Sequence, residues 1–170
     1  MYFGLDVGCR APEAPAATAE DAGDSCELTN VQNQGGGWRI NPDSTVAGFY
    51  LNEGASLALG SQVECWFANG MHEKLVLQGS DGNLVLYQYF SPLTWGASTS
   101  GKSASVANFQ TDGNFVVRTS AGTALWATGT HTYHDAVLVL QADGNLVIYA
   151  SPSATSTALW STGTSVPALG

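Results

Sequence analysis

The triplet Asp-Gly-Asn occurs three times, beginning at Asp81, Asp112 and Asp143, and both intervals are 31 residues. Each copy lies inside a longer likeness: LVLQGSDGNLVLY from Leu75, ANFQTDGNFVVR from Ala107 and LVLQADGNLVIY from Leu138. A tryptophan follows each at Trp95, Trp126 and Trp160, and the last two are trailed by ATGT (127–130) and STGT (161–164). A fixed period of this length marks one supersecondary unit used repeatedly, so residues 50–165 read as one domain of three units.

Each unit reads as a β-hairpin. Leu138 to Gln141 is a short apolar strand, Asp143-Gly144 is a turn signal and Leu146 to Tyr149 is the return strand. Side chains alternate faces along a strand, so Leu138, Leu140, Leu146 and Ile148 share one face. Gln141, Asn145, Val147 and Tyr149 share the other. Polarity on an outer face is ordinary for a half-buried sheet, and Asp-Gly-Asn alone is a good turn. The combination is less ordinary. Gln141 and Asn145 supply donors and an acceptor, Asp143 supplies acceptors, Tyr149 a hydroxyl and Val147 a small apolar contact. A sugar ring presents the complementary mixture of vicinal hydroxyls and C–H faces.

The pattern Q-x-D-x-N-x-V-x-Y, three times in about 110 residues, resembles the signature of the bulb-type, or monocot mannose-binding, lectin family, and the likeness covers roughly residues 45–165. That resemblance implies an all-β, β-prism II fold of three four-stranded sheets about a pseudo-threefold axis, with one shallow, calcium-independent mannose site per sheet. It also implies that Trp95, Trp126 and Trp160 pack near the axis rather than hold ligand. In the family the Asp and Asn bind the axial 2-hydroxyl of mannose, the Gln the 3-hydroxyl and the Tyr the 4-hydroxyl.

The three copies carry this over unequally. The third has Gln141, Asp143, Asn145, Val147 and Tyr149, matching every position. The first keeps Asp81, Asn83, Val85 and Tyr87 but has one extra residue after Gln78; if Gly79-Ser80 absorbs it, Gln78 keeps its face. The second keeps Gln110, Asp112, Asn114 and Val116 but has Arg118 in place of Tyr, so its site is expected to be weak, altered or dead. The expected order is third, first, second.

Composition narrows what such a chain can bind. Fourteen acids against five bases give a net charge of −9, which opposes a nucleic-acid partner, since phosphate recognition needs clustered Lys and Arg. No apolar run reaches the ~18 residues of a membrane span. Residues 1–44 hold seven of the acids and two bases, and the Ala11–Asp24 tract has nothing with which to build a core. With Gly35-Gly36-Gly37 read as a second break, residues 1–44 are expected to be an acidic, partly flexible extension, and the folded unit to start near residue 45 and run to 170. The cysteines are Cys9, Cys26 and Cys65; one bridge fits an exported protein, as Cys9–Cys26 or Cys26–Cys65, and three free thiols fit a reducing compartment. Secretion is the expected location, with no signal peptide evident in the sequence.

Other motifs fare worse. GASTSGKS at 96–103 has the letters of a phosphate-binding loop, but that loop must open a helix, and here a strand is expected to resume near Val106. The stretch fills the slot after Trp95 that ATGT fills after Trp126. His131, His134 and Asp135 lack the further ligands a zinc site needs. No nucleophile elbow or paired carboxylates suggest hydrolysis. The expectation is thus a non-enzymatic lectin with no cofactor or metal, mannose-type glycans as partners, and a possible homodimer by exchange of the C-terminal strand (Leu159 to Val166). The competing reading is a structural or targeting module with degenerate sites, holding a protein partner or directing an attached toxin or enzyme, with the N-terminal extension as docking arm.

Overall fold

The structure, a computed structural model, describes residues 17–18, 23–33, 35–91 and 94–166. Among these residues there are strands and no helix. In chain order the strands are β1 (Ala17–Thr18), β2 (Ser25–Gln32), β3 (Gly36–Ile40), β4 (Val46–Asn52), β5 (Ser56–Trp66), β6 (His72–Leu77), β7 (Leu84–Gln88), β8 (Thr94–Gly96), β9 (Ala104–Phe109), β10 (Phe115–Thr119), β11 (Ala124–Ala127), β12 (Val137–Gln141), β13 (Leu146–Tyr149) and β14 (Ala158–Ser161).

Each repeat contributes an antiparallel meander of three strands: β6-β7-β8, β9-β10-β11 and β12-β13-β14. A fourth strand completes each. For the third repeat it is β4, which pairs with β12 from Gly48 to Asn52. For the other two it is one long strand: Ser56–Ala58 of β5 pairs with β9, and Gln62–Trp66 pairs with β6. Between these stretches β5 turns a corner at Leu59 and Gly60, and Gly60 has a φ of 89°. The result is the all-β prism of three four-stranded sheets that the family likeness implies.

The inward faces fill one core. Leu138, Leu140, Leu146 and Ile148 are buried there, as are their counterparts Leu75, Leu77, Leu84 and Leu86. The period-2 alternation of the hairpins therefore decides which side chains leave water. Trp95, Trp126 and Trp160 meet edge to face with ring centroids 5.4–5.6 Å apart, one from each sheet, and pack half-buried against the core. Such mutual edge-to-face contacts add to what burial alone contributes.

The sheets begin upstream of the boundary expected near residue 45. β2 lies along β5 and follows it around the corner, pairing Ser25–Thr29 with Gln62–Trp66 and Val31–Gln32 with Ser56–Leu57. Asn30, with a φ of 57°, supplies the irregularity that returns Val31 to the inner face after Cys26 and Leu28. β3 adds to β4 and so extends the third sheet. Polar, Gly-rich strands of this kind carry little apolar signal, but their backbone still satisfies edges that would otherwise stand open. Gly36 and Gly37, read as part of a break, pair with Leu51 and Tyr50; a Cβ on Gly37 would lie 2.9 Å from the Tyr50 hydroxyl, so glycine makes room for that ring. Cys26 and Cys65, directly opposed on β2 and β5, form a disulfide. Cys9 and most of the Ala11–Asp24 tract lie outside the described residues. β14 pairs with β13 of its own chain.

Candidate functional site

The Asp-Gly-Asn triplets sit at the turns between the first two strands of each meander, and their glycines have φ values of 78° (Gly82), 91° (Gly113) and 91° (Gly144). Only glycine adopts this conformation without penalty, which explains its recurrence. The turn aims the flanking polar side chains onto the outer face.

There the third copy forms a closed hydrogen-bond set. Gln141 Nε2 donates to Asp143 Oδ1 at 3.0 Å, the Asn145 backbone N–H donates to the same oxygen at 3.0 Å, and the Tyr149 hydroxyl donates to Gln141 Oε1 at 2.5 Å. In the first copy Gln78 Nε2 donates to Asp81 Oδ1 at 3.1 Å, the Asn83 N–H donates to it at 2.9 Å, and the Tyr87 hydroxyl donates to Gln78 Oε1. The extra residue is absorbed in the turn, where Gly82 N–H donates to the Gln78 carbonyl. Gln78 therefore keeps its face. In the second copy the Asn114 N–H donates to Asp112 Oδ1 at 3.0 Å. With the Gln110 amide oriented to satisfy both neighbours, its nitrogen donates to Asp112 Oδ1 at 3.2 Å and its oxygen accepts from Arg118 at 2.5 Å. Arg118 thus replaces the tyrosine as the group that holds the glutamine, but it brings a charge that also reaches the Gly122 carbonyl.

The asparagines are fixed by residues whose role was not read from the sequence. Asn145 Oδ1 accepts from Thr162 Oγ1 at 3.0 Å and from the Thr164 N–H at 3.1 Å, while Thr164 Oγ1 donates to the Gly144 carbonyl at 2.8 Å. Thr128 and Thr130 repeat this around Asn114, and in the first copy Thr99 does so around Asn83. The signal was present as the repeated ATGT and STGT, and Thr99 lies within GASTSGKS. That stretch leads into β9 at Ala104 with no intervening helix, in the structural slot of ATGT. With Oδ1 committed to the protein, the Asn side chain keeps Nδ2 as its donor for a ligand. Asp143 and Asp112 likewise keep Oδ2 as an acceptor. In the first copy Ser100 Oγ donates to Asp81 Oδ2 at 2.9 Å. The Asn83 N–H, then Ser100 and Gln78, hold the Asp81 carboxyl below the usual carboxylate range.

The valines differ from expectation. Val85, Val116 and Val147 are only 4%, 1% and 2% exposed, yet they belong to no part of the central core. They form the floor beneath the polar groups and present little apolar surface to a ligand. Beyond the motif, two cations reach the tyrosines. The Arg39 guanidinium lies 3.6 Å above the Tyr149 ring and donates to the Ser153 and Ala154 carbonyls, and Lys74 Nζ lies 5.7 Å from the Tyr87 ring. Arg39 is on β3, outside the repeats, and no repeat-based reading could reach it. His134 Nδ1 lies 3.2 Å from the Thr111 carbonyl, and no cluster of three metal-ligating side chains occurs among the described residues.

The first and third outward faces each offer a carboxylate, two amide donors and a hydroxyl within one small area, and on the second face Arg118 stands in place of the hydroxyl. Such a surface can exchange several hydrogen bonds with adjacent hydroxyls of a neutral ligand. No protein-family model matches the chain, and neither does any curated protein. Among solved structures it is similar to a lectin from Marasmius oreades, with 33% identity, 74% of this chain and 95% of that one covered, and a TM-score of 0.55. It is also similar to monomeric monocot mannose-binding lectins from Gastrodia elata, with 33% identity, 69% and 98% covered, and a TM-score of 0.53.

Proposed function

Since the chain belongs to the bulb-type, monocot mannose-binding lectin family, we propose that it is a carbohydrate-binding lectin for mannose or mannose-containing glycans, acting without catalysis or calcium. The observation that carries this reading is the third motif, complete in residue type and hydrogen-bonded so that each ligand-facing atom has a fixed role. Asp143 Oδ2 accepts from the axial 2-hydroxyl and Asn145 Nδ2 donates to it. The second N–H of Gln141 serves the 3-hydroxyl, and the Tyr149 oxygen accepts from the 4-hydroxyl. An axial 2-hydroxyl selects mannose over its equatorial epimer, because the latter would leave the Asp and Asn groups unpaired. Charge on the ligand is not required, in keeping with the acidic chain.

The first motif, with Asp81 Oδ2 already engaged by Ser100, ranks below the third. The second, with Arg118 in place of the tyrosine hydroxyl, ranks last. A shallow site making only these few hydrogen bonds holds one sugar weakly, since association entropy consumes most of their contribution. Sites on separate faces gain strength against multivalent glycans through effective concentration. Secretion is consistent with the Cys26–Cys65 bridge, because disulfides persist in oxidising compartments. The test is retention on immobilised mannose by the full chain and by Asp143→Ala and Asn145→Ala. Both substitutions should weaken retention, and unchanged retention by both would refute the assignment.

A further inference from the structure

Arg39 is 5% exposed, and its Nε has no hydrogen-bond partner. A buried guanidinium N–H left unpaired carries a desolvation cost that a ligand acceptor can relieve. Arg39 lines a cleft of about 640 Å³ that it shares with Gln141, Asp143 and Tyr149 of the third motif. Much of the remaining wall comes from outside the repeats, with Asn41 and Thr45 in the β3–β4 turn and Asn69 in the β5–β6 turn, and Phe67 and Val166 add apolar patches. Asn41, Thr45 and Asn69 are exposed. A volume in the range of ~300–1,000 Å³ accommodates a ligand larger than one ring on a shallow surface.

We propose that this cleft is a second subsite, which takes a further neutral sugar residue linked to the one in the third motif. The inference deepens the lectin reading and rests on it. The cleft's chemistry excludes an acidic substituent as the preferred occupant. Arg39 commits one nitrogen to the Ser153 and Ala154 carbonyls, and two carboxylates, Asp24 and Asp143, line the same space. Asn41 Nδ2 already donates to Thr45 Oγ1, Thr45 Oγ1 to Asp43 and Asn69 Nδ2 to the Ala142 carbonyl, so what each amide keeps is its second N–H. With the Arg39 Nε–H and the Phe67 and Val166 surface, these groups suit the hydroxyls and C–H faces of a sugar. The subsite belongs to the third motif alone because β3 pairs only with β4, at the edge of that sheet. Gly48 makes the reach possible: it pairs with both Arg39 and Gln141, and a Cβ there would come within 2.5 Å of the Leu140 carbonyl. The N-terminal segment, which the repeats do not predict, thereby acquires a part in recognition.

Calorimetric titration with methyl α-mannoside, a linked mannobiose and a linked mannotriose tests this. It uses the full chain carrying Asn83→Ala and Asn114→Ala, so that only the third motif is intact, with folding verified by circular dichroism. Two or three added hydrogen bonds correspond to a roughly tenfold tighter oligosaccharide complex. The exposed substitutions Asn41→Ala and Thr45→Val, made together, should erase that gain and leave methyl mannoside binding unchanged. Adding Asn145→Ala instead should weaken all three ligands. An oligosaccharide that binds no tighter than methyl mannoside, or a gain that survives the cleft substitutions, overturns the subsite while the lectin reading stands. No binding of any ligand, with Asn145→Ala making no difference, overturns both.

Discussion

Glu73 lies on the inner face of β6, fully buried, and neither carboxyl oxygen has a hydrogen-bond partner. Burial first, and the nearby Asp143 charge second, push its pKa well above the ordinary glutamate value of 4.5. In the folded protein it is therefore a neutral acid with an O–H to donate. Its cross-strand neighbour Gln88 has an unpartnered Oε1, while Gln88 Nε2 donates to the Gly144 and Thr164 carbonyls at 2.8 and 2.7 Å. The pair thus supports the turn and the threonine that shape the third motif. The sign of the pH effect follows. Above pH 4.5 the unfolded chain releases this proton and the folded chain retains it, so stability from Glu73 is complete below 4.5 and is lost as pH rises towards the folded pKa. While the proton is retained, the folding equilibrium weakens up to tenfold per pH unit, or about 3 kcal/mol over two units. Glu73→Gln keeps the shape and supplies an N–H donor without the titration. Urea unfolding of both proteins at pH 4.5 and 6.5 measures the difference directly. The variant should match the parent at the lower pH and exceed it at the higher, the gap widening by at most tenfold in the folding equilibrium per pH unit. Parallel pH profiles for the two proteins would refute the buried neutral acid.

Three further outcomes are expected. Thr162→Val removes the hydroxyl that donates to Asn145 Oδ1 and accepts from the Leu146 N–H, so it should cost about 1–3 kcal/mol in stability and weaken mannoside binding several-fold, read by thermal melting and calorimetry. Replacing Cys26 and Cys65 by alanine opens a loop of 39 residues, which corresponds to about 4 kcal/mol in denaturant unfolding by the chain-entropy argument. Ser100→Ala removes a donor that favours the charged form of Asp81, so its carboxyl pKa should rise towards 3.8 in an NMR titration; the stability it lends above the unfolded pKa is then lost at a higher pH as acid is added.

The hairpins were legible because burial on one sheet face imposes period 2, and Leu138, Leu140, Leu146 and Ile148 obey it. The motif residues were legible for the same reason: a turn fixed by Gly144 leaves Gln141, Asn145 and Tyr149 no other face. What escaped reading depends on contacts distant in sequence. Arg39 reaches the Ser153 carbonyl across 114 residues, and no local pattern encodes that. β2 and β3 escaped because strands that add to an existing edge need backbone pairing more than apolar side chains. The threonines were visible as a repeat, but only the Asn145 carbonyl oxygen explains why they recur. The valines lie on the outer face that the alternation predicts, and at 4%, 1% and 2% exposed they are nearly closed to solvent.

The most direct test of the central claim is a glycan array probed with the full chain, with and without free mannose as competitor. The account predicts signal on mannose-terminated glycans, suppressed by free mannose but not by galactose, and reduced by Asn145→Ala. Signal that free mannose leaves intact, or no preference for mannose-containing glycans, would contradict it.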